Sequence, residues 1–504
     1  MSAERFAVVR GGSLLDWASH RVEAADLLLE GGTIREIGPP GLAAPAQAAV
    51  VEARDRLLVP GLVNAHTYAH GGLTKGLVDD RAPLEVFLTA APALNAGRTA
   101  EDKYLSALVS AVEMVKKGCT ACYDLAVEFP APSVEGIHAV AQAYQDAGMR
   151  AVVAPMMADR TLYQALPGLL EAIPEPPRAA VSALAAAPYE TSVAVAADIL
   201  HGWPFDRDRV RPAVAPTIPL HCSDDFLTAC HRLSVEFGVG LQTHLAETKS
   251  QAVLGVRRYG KSLVTHLGEL GMLDERMSAA HAIWISRDDI RRLADAGATV
   301  AHNPLSNLRL GSGVAPVRLM RESGLGVGIG TDATNTSDGQ NMFEATRLAS
   351  YLSRIVAPDP NLWLTAGEAF ELATAGSARV LGMGDRIGRI APGFKADIVF
   401  LDLGHINYVP LGDAAIQLVN GENGAAVDTV MIDGRMVLEH GVLRTVDEAR
   451  LRRDAERAAA RLAGANPESR ALARSIEAIV GAFCLGQARA PHPVRRALHE
   501  DDFR

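Results

Sequence analysis

A short motif around residue 66 carries three polar side chains at alternate positions. His66, Tyr68 and His70 follow an apolar run that is broken by Pro60 and Gly61. In an extended backbone, residues two apart point to the same face, so these three side chains share one face. Two imidazoles placed in this way at the end of a buried strand are suitable ligands for one metal ion. A tyrosine takes the middle position, and a phenol with a pKa of about 10 is a poor ligand until it ionises.

Further polar side chains follow later apolar runs in the same manner. They stand at or directly after the ends of the runs, and they are Asp124, Thr217, His244, Glu247, His281, His302 and Asp332. Imidazoles and carboxylates are the groups that bind metal ions and move protons in hydrolytic sites. The sequence therefore predicts one metal-binding or catalytic site, provided that the fold brings the ends of these runs together.

The apolar runs have the length of buried strands, and helix-like segments separate them. The eight runs are 57–65, 119–125, 151–156, 210–215, 239–243, 278–280, 299–301 and 326–330. Helical patterns between them include 101–117, 134–147, 288–296 and 342–355. Eight strand-helix units favour an α/β fold with a parallel (β/α)8 barrel of the TIM type. In that fold the chemistry lies at the carboxyl ends of the strands, where these polar residues stand.

Both ends of the chain carry shorter β patterns. Gly31-Gly32 and Asp433-Gly434 each separate two runs that read as paired strands, so each dipeptide predicts a hairpin. We therefore expect a small β-sandwich domain built from both ends of the chain, followed by C-terminal helices. The predicted parts are 1–56 and 386–444 for the β-sandwich, 57–385 for the barrel and 445–504 for the helical extension.

The composition is that of a globular protein with an acidic balance. The chain has 504 residues, 48% of them hydrophobic, and a formal net charge of -10 at pH 7. This charge argues against nucleic acid and anionic membranes as partners.

The sequence also suggests where the protein is located. It contains no apolar run of about eighteen residues, so no membrane span is predicted, and the N-terminal residues lack the pattern of a signal peptide. The five cysteines do not suggest a disulfide framework, so we expect reduced thiols and a cytoplasmic protein.

The strand-end residues resemble those of the amidohydrolase superfamily, in the branch that includes S-adenosylhomocysteine, guanine and s-triazine hydrolases. The matching segments follow the family's order, and they are 60–70, 243–248, 280–284, 302–313, 330–332, 340–344 and 392–397. The resemblance implies one metal ion at the mouth of the barrel, usually zinc or iron. These motifs are specific for the superfamily and say little about the substrate.

The resemblance also implies a role for each polar residue. The positions of the family's metal ligands are occupied by His66, Tyr68, His244 and Asp332. Glu247 takes the place of the general acid and base that carries a proton to the leaving nitrogen. His281 takes the place of a histidine that donates to the atom gaining negative charge. Asp332 would also accept a proton from the water that attacks an sp² carbon bearing nitrogen.

Tyr68 stands where the family has its second metal-binding histidine, and three interpretations follow. Tyr68 could bind the metal as a phenolate, because a metal ion can promote ionisation. His70, on the same face of the strand, could serve as a substitute ligand. In the third interpretation the metal is weakly bound or absent, and the barrel has altered chemistry or none.

Three further residues are expected to contact the substrate. His302 and Asn307 belong to the segment that follows the seventh run, and Thr217 stands where the family often has a histidine. The absence of that histidine favours a less polar substrate than those of the usual deaminases. Asp124 is instead expected to accept hydrogen bonds from loop amides.

The combined prediction is an enzyme that hydrolyses a non-peptide carbon–nitrogen bond in a small cyclic or aromatic molecule. Deamination and the cleavage of an amide, urea or carbamate remain open, because the motifs define the attacking groups and not the leaving group. The alternative is a metal-poor barrel that binds small molecules without catalysis. One divalent metal, zinc or iron, is the expected cofactor, and a homodimer or larger homo-oligomer is the expected assembly, with the helices after Thr445 as its interface.

Overall fold

The structure is a computed structural model that describes residues 6–17, 19–337 and 339–496. Within these ranges the chain forms one mixed sheet, two parallel sheets accompanied by helices, and two C-terminal helices. Residues 1–5 and 497–504 of the predicted terminal parts lie outside the described ranges.

Both ends of the chain contribute strands to a single nine-stranded sheet. Phe6–Leu15 pairs in parallel with Ala49–Glu52 and Arg56–Pro60, and the other pairs are antiparallel. The remaining strands are Val22–Glu30, Thr33–Gly38, Ile398–Asp402, Val427–Ile432, Arg435–Glu439 and Val442–Leu443. An antiparallel bridge between Thr33 and Lys395 connects the edge strand Thr33–Gly38 to the segment that precedes Ile398–Asp402. Within the described residues, the strands predicted to form the β-sandwich belong to one continuous sheet with its own apolar core.

The chain leaves this sheet at Gly61. Arg56–Pro60 pairs with Ile398–Asp402 inside the mixed sheet, whereas Leu62–Tyr68 pairs with Cys119–Val127 in a parallel sheet. A Cβ atom on Gly61 would lie 2.1 Å from Oγ1 of Thr120, so only glycine permits the close approach of these two segments. The run predicted as a single strand is thus two strands, Arg56–Pro60 and Leu62–Tyr68.

The strands of the central region all pair in parallel. One sheet contains Leu62–Tyr68, Cys119–Val127, Arg150–Met157, Val210–Pro212, Ala215–Pro216 and Asp332–Ala333, and the other contains Leu241–Leu245, Met277–His281, Thr299–His302 and Gly326–Ile329. A parallel bridge between Val214 and Leu241 connects the two sheets. Leu62–Tyr68 is buried at every position, as expected for a parallel strand covered on both faces.

Helices follow most of the parallel strands. The four patterns predicted from the sequence correspond to Ala100–Lys116, Val134–Ala147, Arg287–Asp295 and Met342–Val356. The other α-helices of the parallel region are Leu84–Asn95, Leu162–Ala165, Leu169–Ala172, Pro177–Ser182, Tyr189–His201, Asp224–Phe237, Lys249–Tyr259, Leu263–Glu269, Pro304–Arg309, Val317–Glu322, Ala366–Glu371 and Ser377–Val380. Ala414–Asn420 lies between strands of the mixed sheet. Side-chain caps such as Thr99, whose Oγ1 accepts from the N–H of Asp102, define where the helices begin.

The chain ends in two helices, Glu448–Ala463 and Pro467–Ala488. By length and hydropathy, Pro467–Ala488 is the one helix of the described ranges that could cross a membrane. It packs against Leu84–Asn95 and Lys249–Tyr259, and Oγ of Ser250 donates to its Cys484 carbonyl oxygen at 3.1 Å. These contacts are those of a helix within the folded protein.

A buried ion pair joins the mixed sheet to the parallel region. Nε of Arg150 donates to Oδ2 of Asp397 at 2.7 Å, and its Nη2 donates to Oδ1 of Asp433 at 3.1 Å. Arg150 is 1% exposed and Asp397 is 3% exposed, so neither charge is solvated by water. Since an unpaired buried charge is strongly unfavourable, each partner depends on the other.

Replacing Arg150 by methionine is expected to lower the free energy of unfolding by about 3–5 kcal/mol, because it leaves a buried carboxylate without its partner. Urea unfolding followed by circular dichroism measures the change. Arg291→Met is the matched control, since the Arg291 side chain is 59% exposed in its ion pair with Asp288, and the expected change is about 0.5 kcal/mol or less. Equal losses in the two variants would contradict the structural role of Arg150.

Candidate functional site

Five buried side chains from four parallel strands and their loops converge in one cluster. Ligand atoms of His66, His244 and His281 lie within 4.8 Å of one another, and so do those of Glu247, His281 and Asp332. Because His281 belongs to both groups, the five residues form a single site. The structure thus brings together residues that are more than 260 positions apart in the sequence, since Asp332–Ala333 pairs with Leu62–Tyr68 at Thr67.

Gln242 fixes the orientation and the tautomer of His66. Its Nε2 donates to the carbonyl oxygen of Ala65 at 3.2 Å and to Oγ of Ser278 at 2.8 Å. Its Oε1 must therefore accept from Nδ1–H of His66, at 2.6 Å. The other ring nitrogen of His66 then presents a lone pair to the cluster, 3.8 Å from Oδ1 of Asp332. Histidine metal ligands are commonly held in this way through their second nitrogen.

His244 is oriented by a backbone carbonyl. The oxygen of Thr217 accepts from Nδ1–H of His244 at 2.5 Å, so Nε2 carries the lone pair. That lone pair accepts a hydrogen bond from the hydroxyl of Tyr68. Burial, followed by the carboxylates of Asp332 and Glu247, raises the pKa of Tyr68 well above its usual value. Tyr68 is therefore a neutral donor in this arrangement.

His281 is held by the side chain of Asn307. Oδ1 of Asn307 accepts from Nδ1 of His281 at 2.8 Å. Nε2 of His281 lies 3.7 Å from Oε2 of Glu247 and 3.7 Å from Oδ2 of Asp332. These distances are too long for direct hydrogen bonds and leave room for a small group between the three side chains. In this tautomer Nε2 presents a lone pair, whereas the expectation from the sequence was a hydrogen-bond donor.

The backbone is strained where two of these residues stand. His281 has a φ of +67° and Asp332 a φ of +64°, in the left-handed region that side chains other than glycine rarely adopt. Such conformations concentrate at functional sites, where the surrounding structure enforces them. Gly330 permits the approach of this segment to His66, because a Cβ atom there would lie 2.8 Å from the His66 carbonyl oxygen.

Burial divides the cluster into neutral and ionised groups. It lowers the pKa of three imidazoles to about 4, namely those of His66, His244 and His281. Burial raises the pKa of Glu247 well above its usual value, and the carboxylates of Asp332 and Glu85 add to this shift. Burial also acts to raise the pKa of Asp332, but the nearby imidazoles outweigh it and the net shift is downward. A protonated carboxyl beside an ionised one is typical of acid-base catalysis.

A divalent metal ion fits the chemistry of this cluster. Nε2 of His66, Nε2 of His281 and Oε1 of Glu247 are buried and have no hydrogen-bond partner within the described residues. Buried polar atoms are nearly always paired, and neutral imidazoles with an ionised carboxylate form a common donor set for zinc. Nε2 of His244 is already engaged by Tyr68. A metal ion and the Tyr68 hydroxyl therefore compete for the same lone pair.

Two other predicted residues lie beside the cluster. The His70 ring packs edge-on against the Tyr68 ring, with 5.3 Å between centroids, and its Nδ1 has no hydrogen-bond partner in the described part of the chain. His70 is not one of the residues whose ligand atoms converge. Asp124 accepts from the N–H of Ala69 at 3.1 Å and from the hydroxyl of Tyr144 at 2.8 Å. Asp124 thus holds the backbone next to the site, as expected.

The residues predicted to bind substrate have different positions. Thr217 lines the cavity in front of the cluster, whereas His302 and Asn307 do not belong to its described lining. His302 is buried, and burial followed by the charge of His281 lowers its pKa to about 3. Asn307 instead orients His281. The structure therefore places these two residues behind the site and not on the wall that a substrate would touch.

A helix that the sequence analysis did not identify forms one wall of this cavity. The cavity has a volume of about 90 Å³, and residues of Leu84–Asn95 line it together with those of the cluster. The helix is hydrogen-bonded to the loop that carries Glu247, because Oγ1 of Thr248 donates to Oε1 of Glu85 at 2.5 Å. Its apolar residues and its position between the recognised segments 60–70 and 243–248 gave no signal of function.

Gln242→Leu is expected to weaken metal binding by about 10- to 100-fold, because His66 loses the acceptor that fixes its tautomer. Competition against a chromogenic chelator measures the dissociation constant for Zn²⁺ without any assay of activity. Gln251→Leu is the control, since Gln251 bonds to the backbone N–H of Glu247 and not to an imidazole. An unchanged affinity in Gln242→Leu would refute the positioning role of Gln242.

Acid is expected to destabilise the metal-free protein. Burial lowers the pKa of six imidazoles to about 3 or about 4, those of His66, His70, His221, His244, His281 and His302. The unfolded imidazoles take up protons at about pH 6.5, so unfolding binds protons as the pH falls from there toward 4. The free energy of unfolding must fall through this window. Three carboxyls oppose the trend, because burial raises the pKa of Asp124 to about 7 and raises those of Glu247 and Glu85 above their usual values.

Urea unfolding of the metal-free protein at pH 7, 6 and 5 tests this expectation. The free energy of unfolding should fall by at least about 1.4 kcal/mol per pH unit between pH 6 and 5, the value for a net uptake of one proton. The slope should be shallower in His302→Gln, which removes one of the six imidazoles. A stability that does not change between pH 7 and 5 would contradict the burial of these groups.

Comparisons with known proteins agree with this geometry. The model of the Amidohydrolase family matches residues 57–437. A 5-methylthioadenosine/S-adenosylhomocysteine deaminase of Desulforamulus reducens is 32% identical over 463 residues, which cover 91% of this chain and 99% of the relative. A deaminase of the same name from Desulforudis audaxviator is 34% identical over 442 residues, covering 87% and 94% of the two chains.

Two solved structures are also similar. A zinc-bound adenosine deaminase from Xanthomonas campestris superimposes with a TM-score of 0.79 and 28% identity, covering 91% of this chain and 98% of that one. A triazine hydrolase from Arthobacter aurescens superimposes with a TM-score of 0.81 and 25% identity, covering 90% of this chain and 100% of that one. Both extend over the mixed sheet as well as the parallel region.

Proposed function

We propose, since this chain belongs to the amidohydrolase family, that it removes an amino group from a small nitrogen heterocycle by hydrolysis. The chain is a hydrolase of carbon–nitrogen bonds other than peptide bonds, in the branch of the deaminases and triazine hydrolases. Several relatives are named as deaminases of adenine nucleosides, which favours deamination over the cleavage of an amide, urea or carbamate. The comparisons give no support to the alternative of a non-catalytic binding protein.

The observation that carries the proposal is the convergence of five chemically active side chains on one point. His66, His244 and Asp332 would hold a divalent metal, for which zinc is the best candidate because a similar structure contains it. His281 is close enough to share the ion or to bind a ligand beside it. When bound, the metal acts as a Lewis acid that lowers the pKa of water from about 16 toward 7.

Glu247 is suited to carry a proton to the leaving group. Its raised pKa keeps it protonated in the absence of a neighbouring cation, and Oε1 has no other hydrogen-bond partner among the described residues. After water attacks the ring carbon and the carbon–nitrogen bond breaks, the amino group must gain a proton to leave as ammonia. Glu247 supplies that proton and recovers one from the attacking water, while the second proton of the water passes by way of Asp332 to the ring nitrogen, so the products are ammonia and a ring carbonyl beside a ring N–H.

Asp332 and His281 flank the place where water would attack. Oδ2 of Asp332 is ionised and can accept a proton from the water, and Nε2 of His281 can accept a second hydrogen bond from it. Two acceptors at fixed positions orient the lone pair of the water oxygen toward the ring carbon. Asn307 keeps His281 in the tautomer that this role needs.

We also propose that the two parallel sheets form one closed (β/α)8 barrel. The bridge from Val214 to Leu241 joins the sheets on one side. On the other side, the N–H of Gly330 donates to the His302 carbonyl oxygen at 2.9 Å, and the next residues pair with Leu62–Tyr68. The domains would then be a barrel from Gly61 to about residue 385, with the mixed sheet built from the segments on either side.

We propose a cytoplasmic location and a homo-oligomeric assembly for this enzyme. A cytoplasmic enzyme agrees with five free cysteines, all buried. A homodimer or larger homo-oligomer is the expected assembly, and the two helices after Thr445 are its candidate interface. Light scattering on the full chain, compared with a chain ending at Arg444, measures both the assembly and the contribution of these helices.

Metal analysis combined with an assay of ammonia release tests the proposed function. The protein purified without added metal should carry about one ion per chain, and removal of the ion by a chelator should abolish ammonia release from amino-substituted purine nucleosides or triazines. Added Zn²⁺ should restore it, and Asp332→Ala should bind no ion. Ammonia release that survives chelation, or a protein that binds no Zn²⁺, would refute the proposal.

A further inference from the structure

The cavity in front of the catalytic cluster has one wall that is apolar except for Asn95 at its end. Leu84, Phe87, Leu88 and Ala91 line it at spacings of three and four, so they share one face of the helix Leu84–Asn95. Apolar side chains of three other segments, Val127, Met156 and Ile218, continue the wall around the cavity. The substrate must therefore pack an apolar surface against this wall, away from the reacting carbon.

The charges around the cavity have one sign. Glu247 and Asp332 are the only formally charged residues among its described lining residues, and both belong to the catalytic cluster. Two cations, Arg98 and Lys103, border a separate pocket that shares His70 with this cavity. Nη1 of Arg98 donates to the His70 carbonyl oxygen at 2.5 Å, and Lys103 pairs with Glu128 at 2.7 Å. No lining group is thus available to neutralise an anion on the substrate.

We propose that the substrate is an amino-substituted heterocycle that carries an apolar, uncharged substituent and no carboxylate or phosphate. The inference rests on the proposed function and narrows it to a substrate class. The ring lies at the end of the cavity formed by His244, Glu247 and Asp332, and the substituent lies against the helix Leu84–Asn95. An anionic substituent would be buried against leucine and phenylalanine without a partner, which is strongly unfavourable.

Two adenine nucleosides with different tails provide the test. 5′-Methylthioadenosine ends in a neutral methyl group, whereas S-adenosylhomocysteine carries a carboxylate and an ammonium group at the same end. With the zinc-loaded enzyme, kcat/KM for ammonia release should be at least about 100-fold higher for the neutral compound, because the site has no partner for the carboxylate. Equal values for the two nucleosides would refute the inference and leave the proposed deamination intact.

A single substitution should change this preference. Leu88→Arg places a cation on the cavity wall and is expected to reduce the preference for the neutral nucleoside by at least about 10-fold. Ala90→Arg adds the same charge to the same helix on the face toward Pro467–Ala488, where it lines a different pocket, so the preference should stay as in the wild type. An equal change in both variants, or none in Leu88→Arg, would count against the proposed position of the substituent.

A binding measurement tests the inferred substrate class separately from the proposed deamination when turnover is low. Zinc-loaded Glu247→Gln, titrated by calorimetry with the two nucleosides and with a neutral and a carboxylate-bearing amino-triazine, reports on recognition alone. Binding of the neutral member of either pair with exclusion of its anionic partner supports the inference. If none of the four compounds binds, both the substrate class and the proposed function are refuted.

Discussion

Glu247→Gln is expected to lower kcat for ammonia release by about 10³-fold, the scale of general acid-base catalysis. The amide has the size of the carboxyl group but cannot give a proton to the leaving nitrogen and take one back from water. Zinc content should remain at the wild-type level, because His66, His244 and Asp332 are unchanged. Stopped assays with a sensitive ammonia readout and metal analysis of the same preparation measure both quantities.

Glu275→Gln serves as the control for the change in net charge. The Glu275 side chain is 78% exposed and pairs with Arg276 on the surface, so the variant should retain the wild-type kcat. A Glu247→Gln enzyme with full activity would show that another group carries the proton. Loss of zinc together with activity would instead indicate that Glu247 is a ligand of the metal.

Tyr68→His is expected to increase the affinity for Zn²⁺ by at least about 10-fold, because it supplies a neutral imidazole in place of a protonated phenol. Burial keeps the pKa of Tyr68 well above its usual value, and its hydroxyl occupies the lone pair of His244 that a metal needs. The substitution removes this competition and adds a donor. Chelator competition gives the dissociation constants of both proteins.

Tyr68→Phe separates the interpretations of this tyrosine. If the hydroxyl only competes for His244, its removal should leave the affinity for Zn²⁺ unchanged or higher. A loss of affinity of 10-fold or more, by the same chelator competition, would show that Tyr68 coordinates the ion. The structure does not place His70 in the converging group, so His70→Ala should leave the affinity near that of the wild type.

The sequence contained most of the information about the parallel region. Apolar runs bounded by glycine and polar residues predicted strands such as Cys119–Val127, and helical periodicity placed Val134–Ala147 at its observed ends. The signal is strong because a parallel strand is buried on both faces and each helix has one apolar face. The first strand was less well defined, since two strands in different sheets, Arg56–Pro60 and Leu62–Tyr68, form one continuous apolar run.

The candidate site was only partly predictable. Residue types and positions identified His66, His244 and Asp332, because imidazoles and carboxylates at strand ends are uncommon and recognisable. The supporting contacts gave no such signal, since Gln242 lies inside a strand and Thr217 acts through its backbone carbonyl. Hydrogen-bond partners of this kind depend on the distance between strands, which a linear pattern does not contain.

The helix Leu84–Asn95 has a consequence for the rate of turnover. A cavity of about 90 Å³ is smaller than the several hundred Å³ that enclose a drug-sized ligand, so its lining must rearrange to admit a nucleoside, and we expect this helix to be the part that moves. Movement must break the bond between Glu85 and Thr248 and disturb the packing against Pro467–Ala488. The opening frequency of the helix therefore sets an upper limit on how often product can leave, and the C-terminal helix, far from the chemistry in sequence, helps to determine that limit.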